Sequence, residues 1–304
     1  MDGARLTLGG KPFDFQGLSF FNALYNPAFN RSDDERLTRL KDFGKNGVNA
    51  LRVWCQWNFA PPSNVWVDTS PQNTMYTDAG EIREDSFAKL AALVQLADRL
   101  DMLIEVVLFS HEKQPNFSAA ILENAAGNMA GRLKPYGNIL LQIWNEDSTE
   151  VFRCFSRIKE VDPDRITTSS PGLPGHLGDD EQNYMLDLLT PHTIRGKAKI
   201  CFWEEAASQI EYLMKRFRKP VIDDEPARTG IAKFGGIPES RPEQHIEQIR
   251  LVRALGAYHT YHHDMFQNGY DHPATPPQGI PNPYFSDFHR PVFEFLSKGP
   301  KSTG

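Results

Sequence analysis

The chain has 304 residues, with 33 Lys and Arg against 39 Asp and Glu, and a formal net charge of −6. That mild acidity argues against a nucleic-acid binder, which normally carries a basic face, and no apolar run reaches the ~18 residues of a membrane span. Three cysteines, Cys55, Cys154 and Cys201, are too few and odd in number for a disulfide framework and are expected as buried thiols. The start, Met1 to Arg5, leads into no apolar signal region, so a secretion signal is either absent or already removed and the location stays open.

Short β-type runs alternate with helical patterns along the chain, which predicts a parallel sheet with helical crossovers. A hairpin is expected at about residues 4–13, and the first strand lies within Phe13 to Phe21. Ser32-Asp33-Asp34-Glu35 reads as a capping box before Leu37, Leu40 and Phe43 at helical spacing. Gly47 to Trp54 is the second strand, and Phe87, Leu90, Val94, Ala97 and Leu100 form one face of the next helix. Leu103 to Phe109 is the third strand; its near-continuous apolar character, interrupted at Glu105, suits a strand covered on both faces.

The fourth strand is Ile139 to Trp144, with Val151, Phe155 and Ile158 marking the helix behind it. Strands five to eight are expected at Ile166 to Ser170, Leu186 to Thr190, Val221 to Asp224 and Ala257 to Tyr261. Helices fit at about 118–134, 178–184, 199–217 and 243–254, and the segment from about 265 to 304 is expected to be irregular. Eight alternations predict one α/β domain over residues 1–304, a (β/α)8 TIM barrel. A doubly wound open sheet is the runner-up, but no glycine-rich turn comes after the first strand.

Barrel chemistry sits at the C-terminal ends of the strands. The polar residues there are Asn22, Arg52 with Trp54 and Trp57, His111 and Glu112, Asn145 and Glu146, His192, Glu225, and His259 to Asp264. Two strings stand out: Gln142-Ile143-Trp144-Asn145-Glu146, and Lys219-Pro220-Val221-Ile222-Asp223-Asp224-Glu225. Each carries a short strand into a glutamate. By alternation Asp223 shares the inward parity of Glu225, and Asp224 is expected to face the helices or cap the next segment.

On these two strings the chain resembles the retaining glycoside hydrolases of clan A, most closely the family 5 cellulase and mannanase type. The resemblance implies Glu146 as general acid/base and Glu225 as nucleophile, with Asn145 on the sugar 2-hydroxyl. It further implies Arg52 steadying the nucleophile and His111 and His192 closing strands three and six. Such a pair cleaves β-glycosides by double displacement, with carboxyl groups about 5–5.5 Å apart. The sequence departs from the family in two places. Ile194 stands where a tyrosine usually donates to the nucleophile, and the strand-eight tryptophan gives way to Tyr258, His259, Tyr261, His262 and His263. Trp54 and Trp57 are read as sugar platforms or core, and His259 and Tyr261 as polar substrate contacts.

The expected partner is therefore a carbohydrate, with no cofactor, no metal, no nucleic acid, no membrane, and a monomeric chain. Two rivals remain: a metal-dependent TIM-barrel hydrolase using His111, His259, His262 and Asp264, and a non-catalytic carbohydrate-binding barrel.

Overall fold

The computed structural model describes residues 5–56, 74–110, 117–172, 175–194, 202–226, 241–263, 279–284 and 286–299. A two-residue-strand hairpin opens the chain, β1 (Thr7–Leu8) antiparallel to β2 (Lys11–Pro12). Strands and helices then alternate: β3 (Gln16–Ser19), α1 (Asp33–Lys45), β4 (Ala50–Trp54), α2 (Glu84–Asp98), β5 (Leu103–Ser110), α3 (Ala119–Leu133), β6 (Ile139–Asn145) and α4 (Val151–Val161). They continue through β7 (Thr167–Thr168), α5 (Asp180–Met185), α6 (Phe202–Phe217), β8 (Ile222–Asp223), α7 (Pro242–Ala254), β9 (Tyr258–Tyr261) and α8 (His289–Ser297).

Local sequence explains the helix starts. The Ser32 hydroxyl accepts from the Glu35 N–H at 3.1 Å, and Ser118 accepts from Ile121, so two orphan donors are satisfied at α1 and α3. The expected face of α2 is buried through Phe87, Leu90, Val94 and Ala97.

Seven parallel strands form one sheet in the order β7-β6-β5-β4-β3-β9-β8. β3 pairs with both β4 and β9, so the first of these strands joins the last and the sheet curls. The result is an α/β, TIM-barrel-like fold. Residues 186–190, expected as the sixth strand, lie between the two edges without forming a ladder. Leu189 makes a parallel bridge to Val221, and the Asp187 N–H donates to the Thr167 carbonyl at 3.1 Å. Side chains take the remaining backbone partners. Thr167 N–H donates to the Asp187 carboxylate, and the Thr168 hydroxyl donates to the Leu188 carbonyl.

The C-terminal segment is not irregular throughout, because α8 lies within it. Pro291 falls in the first turn of that helix, where its missing N–H removes no intrahelical bond. The helix buries Val292, Phe293 and Leu296, and packs its end so close to Gly47 that a Cβ there would sit 2.3 Å from the Leu296 carbonyl oxygen.

Two apolar clusters divide the interior. The larger lies between strands and helices. The smaller gathers Leu6, Phe15, Ala50, Leu103, Leu140, Leu188, Ile222 and Tyr258, mostly inward residues at strand beginnings. The hairpin covers this end, with the Leu6 N–H donating to the Tyr258 hydroxyl at 3.0 Å. A dry plug at the N-terminal end leaves the opposite end for chemistry.

Candidate active site

Two residues above the plug, alternation brings Arg52, Glu105 and Gln142 inward from β4, β5 and β6. Arg52 is wholly buried and uses its entire donor fork. Nε donates to Gln142 Oε1 at 2.9 Å, Nη1 to Glu225 Oε1 at 2.7 Å and Nη2 to Asn145 Oδ1 at 2.6 Å. Asp224 Oδ2 also lies 2.9 Å from Nη2. Burial works against the charge on this guanidinium, but the neighbouring Asp224 and Glu225 carboxylates outweigh it and raise its pKa above the ordinary arginine value.

Asp224 points inward, contrary to the alternation expected from the sequence, and Asp223 points outward. Counted from the inward Ile222 of the plug, the two-residue period runs through Asp223 to Asp224; the residue that departs from it is Glu225, which enters the site beyond the end of the β8 ladder, so parity counted back from Glu225 comes out reversed. Asp223 accepts from Thr193 and from Gln248 of α7, each at 2.8 Å. Asp224 Oδ2 accepts from Ser170 at 3.0 Å and Gln142 at 3.1 Å, beside the arginine. Burial raises the Asp224 carboxyl, while Arg52 and His192 pull it back.

Glu105 is the third acid of this layer. Burial, reinforced by the Asp224 charge, pushes its carboxyl well above the usual range and favours its protonated form. Neither of its oxygens has a hydrogen-bond partner among the described residues.

The next layer faces the mouth. Glu146 comes directly after the end of β6 in a left-handed conformation, φ +66°, a strained position for a non-glycine residue that turns its side chain over the sheet. The Asp147 carboxylate accepts from the Ser148 and Thr149 backbone N–H groups and fixes the loop behind it. His192 is buried between the two glutamates: its Nδ1 lies 3.5 Å from Glu146 Oε1 and 3.6 Å from Glu225 Oε2, and its Nε2 4.0 Å from Asp224. One ligand-type atom from each of Glu146, His192 and Glu225 falls within 4.8 Å of the others. The site thus combines two adjacent carboxylates, one held by a guanidinium, with an imidazole between them.

Arg52, Asn145, Glu146, His192 and Glu225 therefore come together. Others do not. Tyr261, expected at the substrate, lies on the outer side of β9, where its hydroxyl pairs with His289 Nδ1 at 2.9 Å and its ring packs on Phe293 of α8. His259 shares that outer parity; burial and the Arg253 charge of α7 hold its imidazole well below the usual value. His262 has the opposite parity and enters the site, its Nε2 3.6 Å from Glu225 Oε2. Trp54 is 1% exposed, stacked on Phe21 at 4.7 Å and lying under the Arg52 guanidinium, so it supports the arginine and offers no open face to a sugar. His111 and Trp57 lie outside the described residues, as do Glu112 and Asp264.

Of the metal set His111, His259, His262 and Asp264, His259 and His262 point to opposite sides of β9, and the other two lie outside the described residues. Glu146, His192 and Glu225 are close enough to share a cation, but the Arg52 charge 2.7 Å from Glu225 opposes one there. Sequence reasoning missed Gln142, Ser170 and Ser19, and read Glu105 only as a break in an apolar run. A polar residue in step with the inward positions of an otherwise apolar strand was the available signal. Among the described residues, no helix is long and apolar enough to cross a membrane.

No protein-family model matches the sequence, and neither does any curated protein sequence. Solved structures do match. One described as a glycoside hydrolase superposes with a TM-score of 0.70 at 16% identity, over 98% of this chain and 72% of that one. A glycoside hydrolase family 5 protein from Bacteroides vulgatus ATCC 8482 gives 0.68 at 16% identity, over 97% and 68%. The family 5 mannosidase from Rhizomucor miehei gives 0.62 at 15% identity, over 98% and 94%. The chain thus has the fold of solved family 5 glycoside hydrolases.

Proposed function

We propose that the protein is a retaining β-glycoside hydrolase acting on a gluco- or manno-configured oligo- or polysaccharide, with Glu225 as nucleophile and Glu146 as general acid/base. One observation carries this: the two strand-end glutamates share His192, with carboxylate oxygens within 4.8 Å of one another. An inverting pair stands roughly 6.5–9.5 Å apart to admit a water, and a retaining pair about 5–5.5 Å. The fold supports the same chemistry, as do the names of the solved neighbours, which include a mannosidase. The scaffold is taken to be a complete (β/α)8 barrel, with residues 186–190 as its eighth stave.

Arg52 holds Glu225 ionised and aimed at the anomeric carbon. Glu146, facing that negative charge, keeps its proton until the glycosyl ester forms and then has lost the repulsion that held it. It protonates the leaving oxygen first and deprotonates the incoming water second. Arg52 occupies Asn145 Oδ1, so the amide NH2 is directed away from the guanidinium and donates to the sugar 2-hydroxyl.

The test is chemical rescue on an aryl glycoside with an activated leaving group. Glu146→Ala slows deglycosylation and is rescued by azide with retained configuration. Glu225→Ala abolishes glycosyl-enzyme formation, and azide then gives the inverted glycosyl azide. Exchange of these behaviours reverses the roles; activity lost to a chelator and unaffected in Glu225→Gln refutes the mechanism.

A further inference from the structure

The two oxygens of Glu225 meet different groups. Oε1 accepts from Arg52 Nη1 at 2.7 Å. Oε2 faces two imidazoles, His192 Nδ1 and His262 Nε2, each at 3.6 Å. The resemblance places a tyrosine donor on this carboxylate, two residues after His192. Here that residue is Ile194, which has no side-chain donor and whose backbone N–H is taken by Gln209 Oε1 at 2.9 Å. Position 194 supplies no phenol, and an imidazole stands beside the nucleophile.

His262 is wholly buried, with its ring held edge-on against Phe21 at 5.0 Å. Its Nδ1 lies 3.0 Å from the hydroxyl of Ser19, the last residue of β3. A neutral imidazole carries one proton, and its position is set by what each nitrogen faces. A serine hydroxyl both donates and accepts, whereas a carboxylate only accepts. A bare Nε2 would set a lone pair against the Glu225 anion. The compatible arrangement has Ser19 O–H donating to Nδ1 and Nε2–H directed at Glu225 Oε2.

We propose that His262 is a positioning residue for the nucleophile, its tautomer set by Ser19, and that it takes the donor role for which position 194 has isoleucine in place of tyrosine. This role presupposes the glycosidase chemistry above. With Arg52 on one oxygen and His262 on the other, the carboxylate plane is fixed about its last torsion. The 3.6 Å separation closes into a hydrogen bond when substrate expels water, as catalytic contacts commonly do. No proton changes hands: the imidazole donates to the anion before attack and again when the ester breaks.

The first readout uses the full chain and 2,4-dinitrophenyl 2-deoxy-2-fluoro-β-glucoside or the matching mannoside, with labelling of Glu225 detected by mass spectrometry. His262→Leu is expected to slow labelling about tenfold or more, the loss of one charge-assisted hydrogen bond. His262→Gln, which keeps an N–H donor, should recover a large part of the rate, a rescue that a merely space-filling role would not show. Ser19→Ala removes a single hydroxyl and should slow labelling in the same direction even if His262→Leu fails to fold.

The second readout needs no sugar. Imidazole nitrogen spectra of the wild-type chain, with the His262 signals identified by their loss in His262→Gln, should show the Nε2–H tautomer, and Ser19→Ala should mix the two tautomers. Wild-type chain that is not labelled at Glu225 by either sugar refutes the glycosidase reading and this role with it. Wild-type chain that is labelled, with both Ser19→Ala and His262→Leu labelled at its rate, or a His262 protonated on Nδ1, overturns the role of His262 alone.

Discussion

The histidines on the outer side of β9 make stability depend on pH in a direction that can be worked out. His245 of α7 is buried against Tyr261, His263 and Phe288, with ring centroids 5.9, 5.9 and 5.6 Å away. Burial, reinforced by His289, drives its imidazole from the ordinary 6.5 down to about 3. The unfolded chain therefore binds a proton on this residue between pH 6.5 and 3 that the folded chain refuses. Stability from neutral His245 is fully present above pH 6.5 and is lost as the pH falls through that window. At pH 5 the loss is about 2 kcal/mol relative to pH 7, from about 1.36 kcal/mol for each pH step below the unfolded value. Urea unfolding at pH 7 and pH 5 measures it, with His245→Gln as the reference that cancels all other titrations. The wild type should lose about 2 kcal/mol more than the variant between the two pH values. Equal losses in the two proteins would refute the burial argument.

Glu105 gives the opposite sign: its folded carboxyl keeps a proton that the unfolded chain releases above about pH 4.5, so it costs stability as the pH rises. Glu105→Gln should raise Tm at pH 7 and leave it unchanged at pH 4; a lower Tm at pH 7 would mean that the ionised form is needed. Gly47 adopts φ +85° against the Leu296 carbonyl, so Gly47→Ala should cost about 3 kcal/mol. Gly44, within α1 and with nothing inside 4 Å, should instead gain up to about 1 kcal/mol as alanine; urea midpoints decide both. Burial pushes the Cys55 and Cys154 thiols up to about 12, so peptide mapping after a brief native alkylation should find both unlabelled, and rapid labelling of either would contradict their placement.

The strands of the sheet were legible because parallel strands covered on both faces read as unbroken apolar runs, as at Leu103 to Phe109 and Ile139 to Trp144. Strand ends were legible for the same reason, since Asn145 and Glu146 interrupt such a run. Asp223 and Asp224 were misassigned because parity was counted back from Glu225, which lies beyond the last ladder bond and does not keep the alternation that Ile222 and Asp224 do. In β9, strand alternation divides His259 and Tyr261 from His262, but sequence carries no sign of which set meets helices. That choice is made by partners distant along the chain, Ser19 and Glu225 inside, His289 and Phe293 outside. α8 was missed because Pro291 reads as a breaker, although a proline in a first turn is tolerated. The residues at 186–190 looked like a full strand, yet the Thr168 and Asp187 side chains satisfy backbone groups that a ladder would have used.

The most direct measurement of the central claim is the configuration of the first sugar released, monitored by proton NMR immediately after adding enzyme to an aryl β-glycoside that it turns over. Glu146 and Glu225, with one carboxylate oxygen of each within 4.8 Å of the other, stand closer than the spacing of an inverting pair and predict the β-hemiacetal first, with the α-anomer appearing only by later mutarotation. Appearance of the α-anomer first would contradict the double displacement.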